Sequence, residues 1–232
     1  MKMKRYIWTG LLSINFCCGH IFAQKSPTSF YMDVKGNKEF FLSKEEVSLQ
    51  DYYDILTFLK KEYGEDSEQY KFLLPDSAKF RALYGFSFFS TDKEQQRKFP
   101  MVAISYEQAQ ACCQWIEFLI NKANKSYIWK ISLPKKADYE MALNSKKAKI
   151  TQKEALSPSH VKCKKTGVTI KCRHDNSMYG LTDNVAEYTQ DGIIVEGGKN
   201  AVLKFVEAKE CENPIGFRIK AKGVPKKINK KD

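Results

Sequence analysis

Asp183, Asn184 and Glu187 lie within one five-residue stretch and bring two carboxylates and a carboxamide to a single turn. Asp and Asn are the residues most at ease in a tight or left-handed turn. The alternation that follows, Val185, Glu187 and Thr189 against Ala186 and Tyr188, predicts a strand. Glu187 then sits on one strand face within reach of the Asp183-Asn184 turn. A carboxylate so placed is either a hydrogen-bonded clasp or one ligand of a hard cation. The clasp is the simpler reading.

The cysteines offer a second kind of chemistry. The chain has seven, of which Cys17 and Cys18 fall in a leader-like segment. Cys163 and Cys172 bracket a run that turns near Thr166-Gly167, which predicts a disulfide-closed hairpin in an oxidising compartment, stabilising by about 2.5–3 kcal/mol. Cys112, Cys113 and Cys211 remain, an odd number, so at least one thiol is free. Successive helical residues are about 100° apart. Only one of Cys112 and Cys113 is therefore expected to point fully inward, as an inert small hydrophobe.

Other reactions find little support. His160 and His174 are the only histidines after the leader, too few for a multi-histidine iron site. Cys163, Cys172 and His174 match no closed zinc spacing. No local context marks a nucleophile, and Gly197-Gly198 is followed by no helix that would make a phosphate cradle.

Lys2, Lys4 and Arg5 precede an uncharged apolar run from Ile7 to Phe22, and Ala23-Gln24 offers a cleavage point. Residues 1–23 thus read as a secretory signal peptide, interrupted too often by Asn15, Gly19 and His20 for a good membrane anchor. Cys17 and Cys18 lack the small preceding residue of a lipidation signal. The expected location is periplasmic, extracellular or cell envelope. Residues 24–220 read as one domain, large enough for a single good core.

The chain carries a formal charge of +12. The excess gathers in Lys146-Lys147-Lys149 with Lys162 to Arg173, and from Lys220 to Lys231. Residues 221–232 read as a basic, solvated and disordered tail. Such charge implies attraction to an anionic cell surface that weakens with salt. Nucleic acid is not an expected partner of an exported protein.

Several elements must position these groups. Phe30 to Lys35 and Glu39 to Leu42 predict a hairpin around Gly36-Asn37. Ser48 caps a helix whose stripe is Tyr52, Ile55, Leu56, Leu59 and Tyr63, closed by Gly64. Glu65 to Leu74 predicts a short helix stopped by Pro75. The aromatic run Phe80, Tyr84, Phe86, Phe88 and Phe89 reads as core packing rather than a ligand platform, and Thr91 to Lys98 as a loop. Pro100 to Ile104 predicts a strand, leading to the capping box Ser105 to Gln108 and a helix through Ala109, Ile116 and Ile120. Tyr127 to Leu133 alternates as a strand, and Pro134 opens a helical stretch to Leu143. Val202 to Glu207 and a closing strand Ile215 to Lys220 complete an α+β domain with a loop-rich second half.

In this order the segments resemble the formylglycine-generating enzyme family, also called the sulfatase-modifying-factor domain. Ser43-Lys-Glu-Glu-Val-Ser-Leu-Gln-Asp-Tyr52 is similar to its opening "EVT…Y". Pro100-Met-Val-Ala-Ile-Ser-Tyr-Glu-Gln-Ala109 with Cys113-Gln-Trp115 is similar to "PVV.VSW..A..YC.W". Leu133-Pro-Lys-Lys-Ala-Asp-Tyr-Glu-Met-Ala142 is similar to "LPTEAEWEYA", and Tyr179-Gly-Leu-Thr-Asp-Asn-Val-Ala-Glu-Tyr188 to "GLYDMxGNVWEW" with about three residues lost from the turn. Gly197-Gly198 and Ile215-Gly-Phe-Arg218 fit the closing glycine pair and "GFR".

The resemblance implies a C-type-lectin-like α+β fold with long loops. It also implies a structural Ca²⁺ held by Asn184, the Val185 carbonyl and Glu187, with Asp183 contributing, although the shortened turn removes residues that shape that loop. The family's oxidases hold copper through two cysteines shortly after the glycine pair, and paired thiolates do favour Cu(I). Here Lys199-Asn-Ala-Val-Leu-Lys-Phe-Val-Glu207 follows, with no cysteine, so copper is not expected and no catalytic residue is assigned. Whether Cys211 pairs in space with Cys112 or Cys113 is open at this level. The expected role is a non-catalytic, binding or structural component of a bacterial cell envelope, partnered by another envelope or secretion-apparatus protein. The alternatives are an oxidase or other enzyme on the same scaffold, and a lectin-like ligand-binding module.

Overall fold

The computed structural model describes residues 31–33, 40–43, 45–90, 96–124, 127–143, 184–197, 203–211 and 213–226. The leader, the Gly36-Asn37 turn, Cys163 and Cys172, Asp183 and Gly198 lie outside them. Within them the fold is α+β, with five α-helices and two four-stranded sheets.

The first helix, α1 (Leu49–Tyr63), starts where Ser48 and Asp51 cap each other reciprocally and stops at Gly64, whose φ of 88° suits glycine. Of its predicted stripe Tyr52, Ile55, Leu56 and Leu59 are buried, while Tyr63 on the last turn is exposed. After α2 (Glu68–Phe72), Asp76 caps α3 (Ser77–Tyr84), a helix the aromatic run did not announce. Phe80 and Tyr84 sit one turn apart on α3, and Phe80 meets Phe86 and Phe88 at 5.6 and 5.5 Å between ring centres. Phe80, Tyr84 and Phe88 are core, as expected, with Phe86 packed against them, but Phe89 is half exposed.

Pro100 to Ile104 is not the predicted strand. Pro100 forms one bridge with Ser48, and Ala103 then turns left-handed at φ 60°. The backbone is held instead by Met101 N donating to Val47 O and Asp76 N to Ala103 O, which redirects the chain into Ser105. Ser105 and Gln108 form the expected capping box of α4 (Tyr106–Ala123). Cys112 and Cys113 are both buried, at 0% and 2% exposure, contrary to the expectation that only one could be. The reason is that α4 is covered on two sides, by α1 and by the strand that follows it.

The first sheet joins β1 (Tyr31–Asp33), β2 (Phe40–Ser43), β3 (Tyr127–Ser132) and β8 (Lys220–Pro225) in the antiparallel order β1-β2-β8-β3. β3 is an edge strand, and α4 closes that edge with side chains. Asn121 receives the Trp129 N–H and donates to the Trp129 carbonyl, both at 2.7 Å, while Glu117 accepts from Ile131 N at 2.8 Å. Satisfied in this way, the edge offers no free ladder there to another chain. The helix after β3 is α5 (Lys136–Leu143).

The second sheet has the order β6-β5-β4-β7, from β4 (Ala186–Tyr188), β5 (Ile194–Gly197), β6 (Leu203–Val206) and β7 (Ile215–Gly216). β4 and β7 run parallel, and the other pairs antiparallel. The predicted closing strand is thus two strands in two different sheets, joined by Phe217-Arg218-Ile219.

The assignment of residues 221–232 to a disordered tail is overturned for residues 221–225, which form β8, a central strand of the first sheet, while 227–232 lie outside the described residues. Lysine-rich composition concealed a period of two, in which Ala221 and Gly223 face inward and Lys222 outward. Gly223 is small because the Trp129 ring lies on it; an added Cβ would stand 3.0 Å from that ring.

Candidate functional site: a buried charge cluster between the sheets

Three segments place their polar side chains at the joint between the two sheets. Glu187 comes from the middle of β4, Arg218 from the crossover between β7 and β8, and Tyr139 from α5. Arg218 and Glu187 are 0% and 2% exposed, and Tyr139 is fully buried. Arg218 Nε donates to Glu187 Oε2 at 2.8 Å and Nη2 donates to Oε1 at 2.7 Å, a two-pronged pair. The Tyr139 hydroxyl donates to Glu187 Oε2 at 2.6 Å. Arg218 Nη1 donates to the Ser43 carbonyl on β2 at 2.9 Å, so the guanidinium touches both sheets.

Burial would lower the Arg218 pKa, but the charge and hydrogen bonds of Glu187 outweigh it and hold the guanidinium ionised. For Tyr139, burial and then the Glu187 charge push the hydroxyl well above the ordinary tyrosine range, so it stays a donor. The donors are aimed at acceptors, the condition under which a buried ion pair survives its desolvation, and the buried Glu46 adds a second negative charge that favours the ionised guanidinium.

Asn184 adopts the left-handed conformation, φ 74°, that an Asp-Asn turn predicts. Its side chain donates to Glu46 Oε1 at 3.0 Å, tying the turn to the segment before α1. Beside the cluster, Lys220 reaches both Asp138 oxygens at 2.9 Å, and Asp138 also accepts from Lys135 N at 2.7 Å at the start of α5. The same helix start is held by Lys136 N donating to Asp191 and by Gln190 N donating to the Pro134 carbonyl, both in or beside the turn after β4.

Glu187 is therefore a clasp, but its partners are Arg218 and Tyr139 rather than the turn. Asn184, Val185 and Glu187 do not fit the Ca²⁺ site that the resemblance implies. Both Glu187 oxygens face the guanidinium, and a divalent cation there would meet a fixed positive charge. The sequence held a sign of the true partner. Arg218 stands in an apolar run, Ile215-Gly-Phe-Arg-Ile219, as Glu187 does in Val185-Ala-Glu, and opposite charges in two inward-facing runs are candidates to meet.

The thiols are set apart from this cluster. Cys112, Cys113 and Cys211 are all unpaired. Burial raises the pKa of Cys112 and of Cys113 well above the thiol range. Cys211 donates to Glu196 Oε1 at 2.9 Å. Burial, then this hydrogen bond, pushes its pKa up to about 12. Such thiols are protonated at neutral pH and are weak nucleophiles there.

Among the described residues no group of three or more His, Cys, Asp and Glu side chains is placed to hold a metal ion, and no helix is long and apolar enough to cross a membrane. Comparison of the chain with protein-family models, with curated proteins and with solved structures returns no match.

Proposed function

We propose that the chain is a non-catalytic domain of the sulfatase-modifying-factor type, with a C-type-lectin-like fold, exported to serve as a binding or structural component of the bacterial cell envelope. One observation carries this reading. Three segments that resemble the family in sequence, those of Tyr139, Glu187 and Arg218, converge on one buried, hydrogen-bonded ion-pair cluster. That cluster pins two sheets together and has no exposed reactive atom. The absence of a cysteine from the residues that follow Gly197-Gly198 up to Glu207 supports a binding role over copper oxidation. The partner is then another envelope or secretion-apparatus protein, met on the surface rather than in the cluster.

The test pairs two measurements. Incubation of the purified protein with Cu(I) and a cysteine-containing sulfatase-type peptide is expected to give no aldehyde mass loss, and cross-linking in envelope fractions is expected to yield a defined protein adduct. Turnover that disappears in Cys211→Ser overturns the reading in favour of an oxidase. A glycan as the sole captured species overturns it in favour of a lectin-like module.

A further inference from the structure

One face of the first sheet is covered at one end and open at the other. In the β3–β8 register Ser132 pairs with Lys220, Lys130 with Lys222 and Ile128 with Val224, all on the same face. At the covered end Leu42, opposite Lys220, is fully buried, and Lys220 is neutralised by Asp138 of α5. Two rungs further on the face is open among the described residues: Lys130 and Lys222 are exposed, and Ile128 and Val224 are 47% and 45% exposed. Like charges directly opposite each other on a sheet cost stability. Yet neither Lys130 nor Lys222 has an ion pair among the described residues. Two paired lysines beside two paired aliphatic side chains make a small amphipathic platform whose charge is left for something outside the chain.

We infer that this open end of the sheet, Lys130, Lys222, Ile128 and Val224, is a docking surface for an anionic phospholipid bilayer. A bilayer surface offers both things the platform lacks, phosphate charge and, just beneath it, hydrocarbon. Lysine suits that partner. Its compact ammonium on a flexible stem follows mobile headgroups, whereas paired planar recognition of fixed carboxylates favours arginine. A specific protein interface would be anchored by Trp, Tyr or Arg. Here the strand alternation sends Tyr127 and Trp129 to the opposite face. The inference rests on the envelope reading only for the place where such a bilayer is met; the binding belongs to the face itself.

Sedimentation of the purified chain with vesicles tests it. Wild type is expected to bind phosphatidylglycerol-containing vesicles, to leave phosphatidylcholine vesicles in solution, and to release as salt is raised. Lys130→Gln with Lys222→Gln is expected to weaken partitioning by roughly thirtyfold. Ile128→Ser with Val224→Ser is expected to weaken it several-fold. Lys222→Glu, which removes the same two units of charge, is expected to weaken binding by a similar factor while raising the melting temperature by about 1–3 °C, because it turns an opposed like pair into an ion pair. That opposite movement of binding and stability separates the inference from a fold defect. Replacing Lys227, Lys230 and Lys231 by Gln is expected to leave most of the binding in place. Failure of wild type to bind, equal binding to neutral vesicles, wild-type binding by the double-lysine variant, or complete loss on neutralising those three lysines would each overturn it. Envelope fractionation of the same variants keeps the two readings distinct, since a protein that fails on vesicles and still fractionates with the envelope leaves the envelope role standing.

Discussion

Arg218 and Glu187 meet through two parallel contacts, Nε to Oε2 and Nη2 to Oε1, with neither side chain in contact with water. The pair joins a crossover to a strand of the second sheet, and Arg218 also grips the Ser43 carbonyl of the first. Removing one charge strands the other in the interior. Glu187→Gln is expected to destabilise the protein by about 3–5 kcal/mol. Replacing both, as Glu187→Leu with Arg218→Met, is expected to cost less than the single change, because neither member of the pair is left facing an apolar site and Glu46 is the one charge that loses a neighbour. Urea unfolding of the three proteins checks this; equal losses in the single and double variants would refute it.

A guanidinium already supplies the positive charge that a cation would bring to Glu187. Excess calcium chelator is therefore expected to leave the melting temperature unchanged, and added Ca²⁺ to produce no saturable rise, since only a ligand that prefers the folded state stabilises it. Differential scanning fluorimetry with and without chelator is sufficient. A concentration-dependent shift would show that Asn184 and Val185 hold an ion without Glu187.

Gly216 on β7 has no room for a side chain. An added Cβ would stand 2.9 Å from the Met101 carbonyl oxygen and 3.0 Å from Val185 Cγ2. The first of these is backbone and cannot swing away. Gly216→Ala is expected to cost about 1–3 kcal/mol as an overpacked core position, read as a lowered urea midpoint. Gly64→Ala would meet nothing within 4 Å, but its φ of 88° makes that change one of strain rather than of contact.

The Ser48 N-cap, the Ser105–Gln108 capping box, most of the stripe of α1 and the strand Tyr127–Ser132 were legible because each is a local pattern, written within a few turns or alternations. The left-handed Asn184 was legible for the same reason. What escaped was long-range. Arg218 lies 31 residues from Glu187, and nothing near either one states that they meet. β8 was misread because charge density outweighed alternation, although Ala221 and Gly223 are the small inward residues that a strand under Trp129 requires. The strand expected at Pro100–Ile104 has apolar residues enough, but its backbone partners are single contacts to Val47 and Ser48 rather than a neighbouring strand.

The buried Tyr139 hydroxyl makes stability depend on alkaline pH. Its pKa is raised above the ordinary value of 10.0 by burial and by the Glu187 charge. Tyr52 is raised too, by burial and then by Cys112. In the unfolded chain both lose their protons near pH 10, while in the folded chain both keep them. The folded state then binds more protons than the unfolded one, so the share these two tyrosines contribute is whole below about pH 10 and declines above it, adding to the decline that the raised thiols begin near pH 9. The expected slope is about −1.4 kcal/mol per pH unit for each tyrosine. Tyr139→Phe is expected to start from lower stability, having lost a hydrogen bond to a charged group, and to fall less steeply by one tyrosine's share. Urea unfolding at pH steps from 9 to 12 measures both; an unchanged slope in Tyr139→Phe would mean that its hydroxyl ionises as freely folded as unfolded.

Cys211 is half-buried and its thiol donates to Glu196, with a pKa pushed up to about 12 by burial and then by that hydrogen bond. At pH 8 only about one part in ten thousand is thiolate, the form that reacts. Alkylation at Cys211, followed by peptide mass mapping, is therefore expected to run at least a hundredfold slower than in the urea-unfolded chain, and to rise about tenfold for each pH unit up to the pKa. Glu196→Gln removes the carboxylate that holds the proton. It is expected to lower the pKa and speed alkylation near pH 8 with little change in melting temperature, because the contact is only partly buried. Asn213, whose side chain also donates to Glu196 Oε1 at 3.1 Å, keeps the loop in place in that variant through the remaining amide oxygen. Equal alkylation rates in the wild type and in Glu196→Gln would show that burial alone, and not the Glu196 hydrogen bond, keeps this thiol silent.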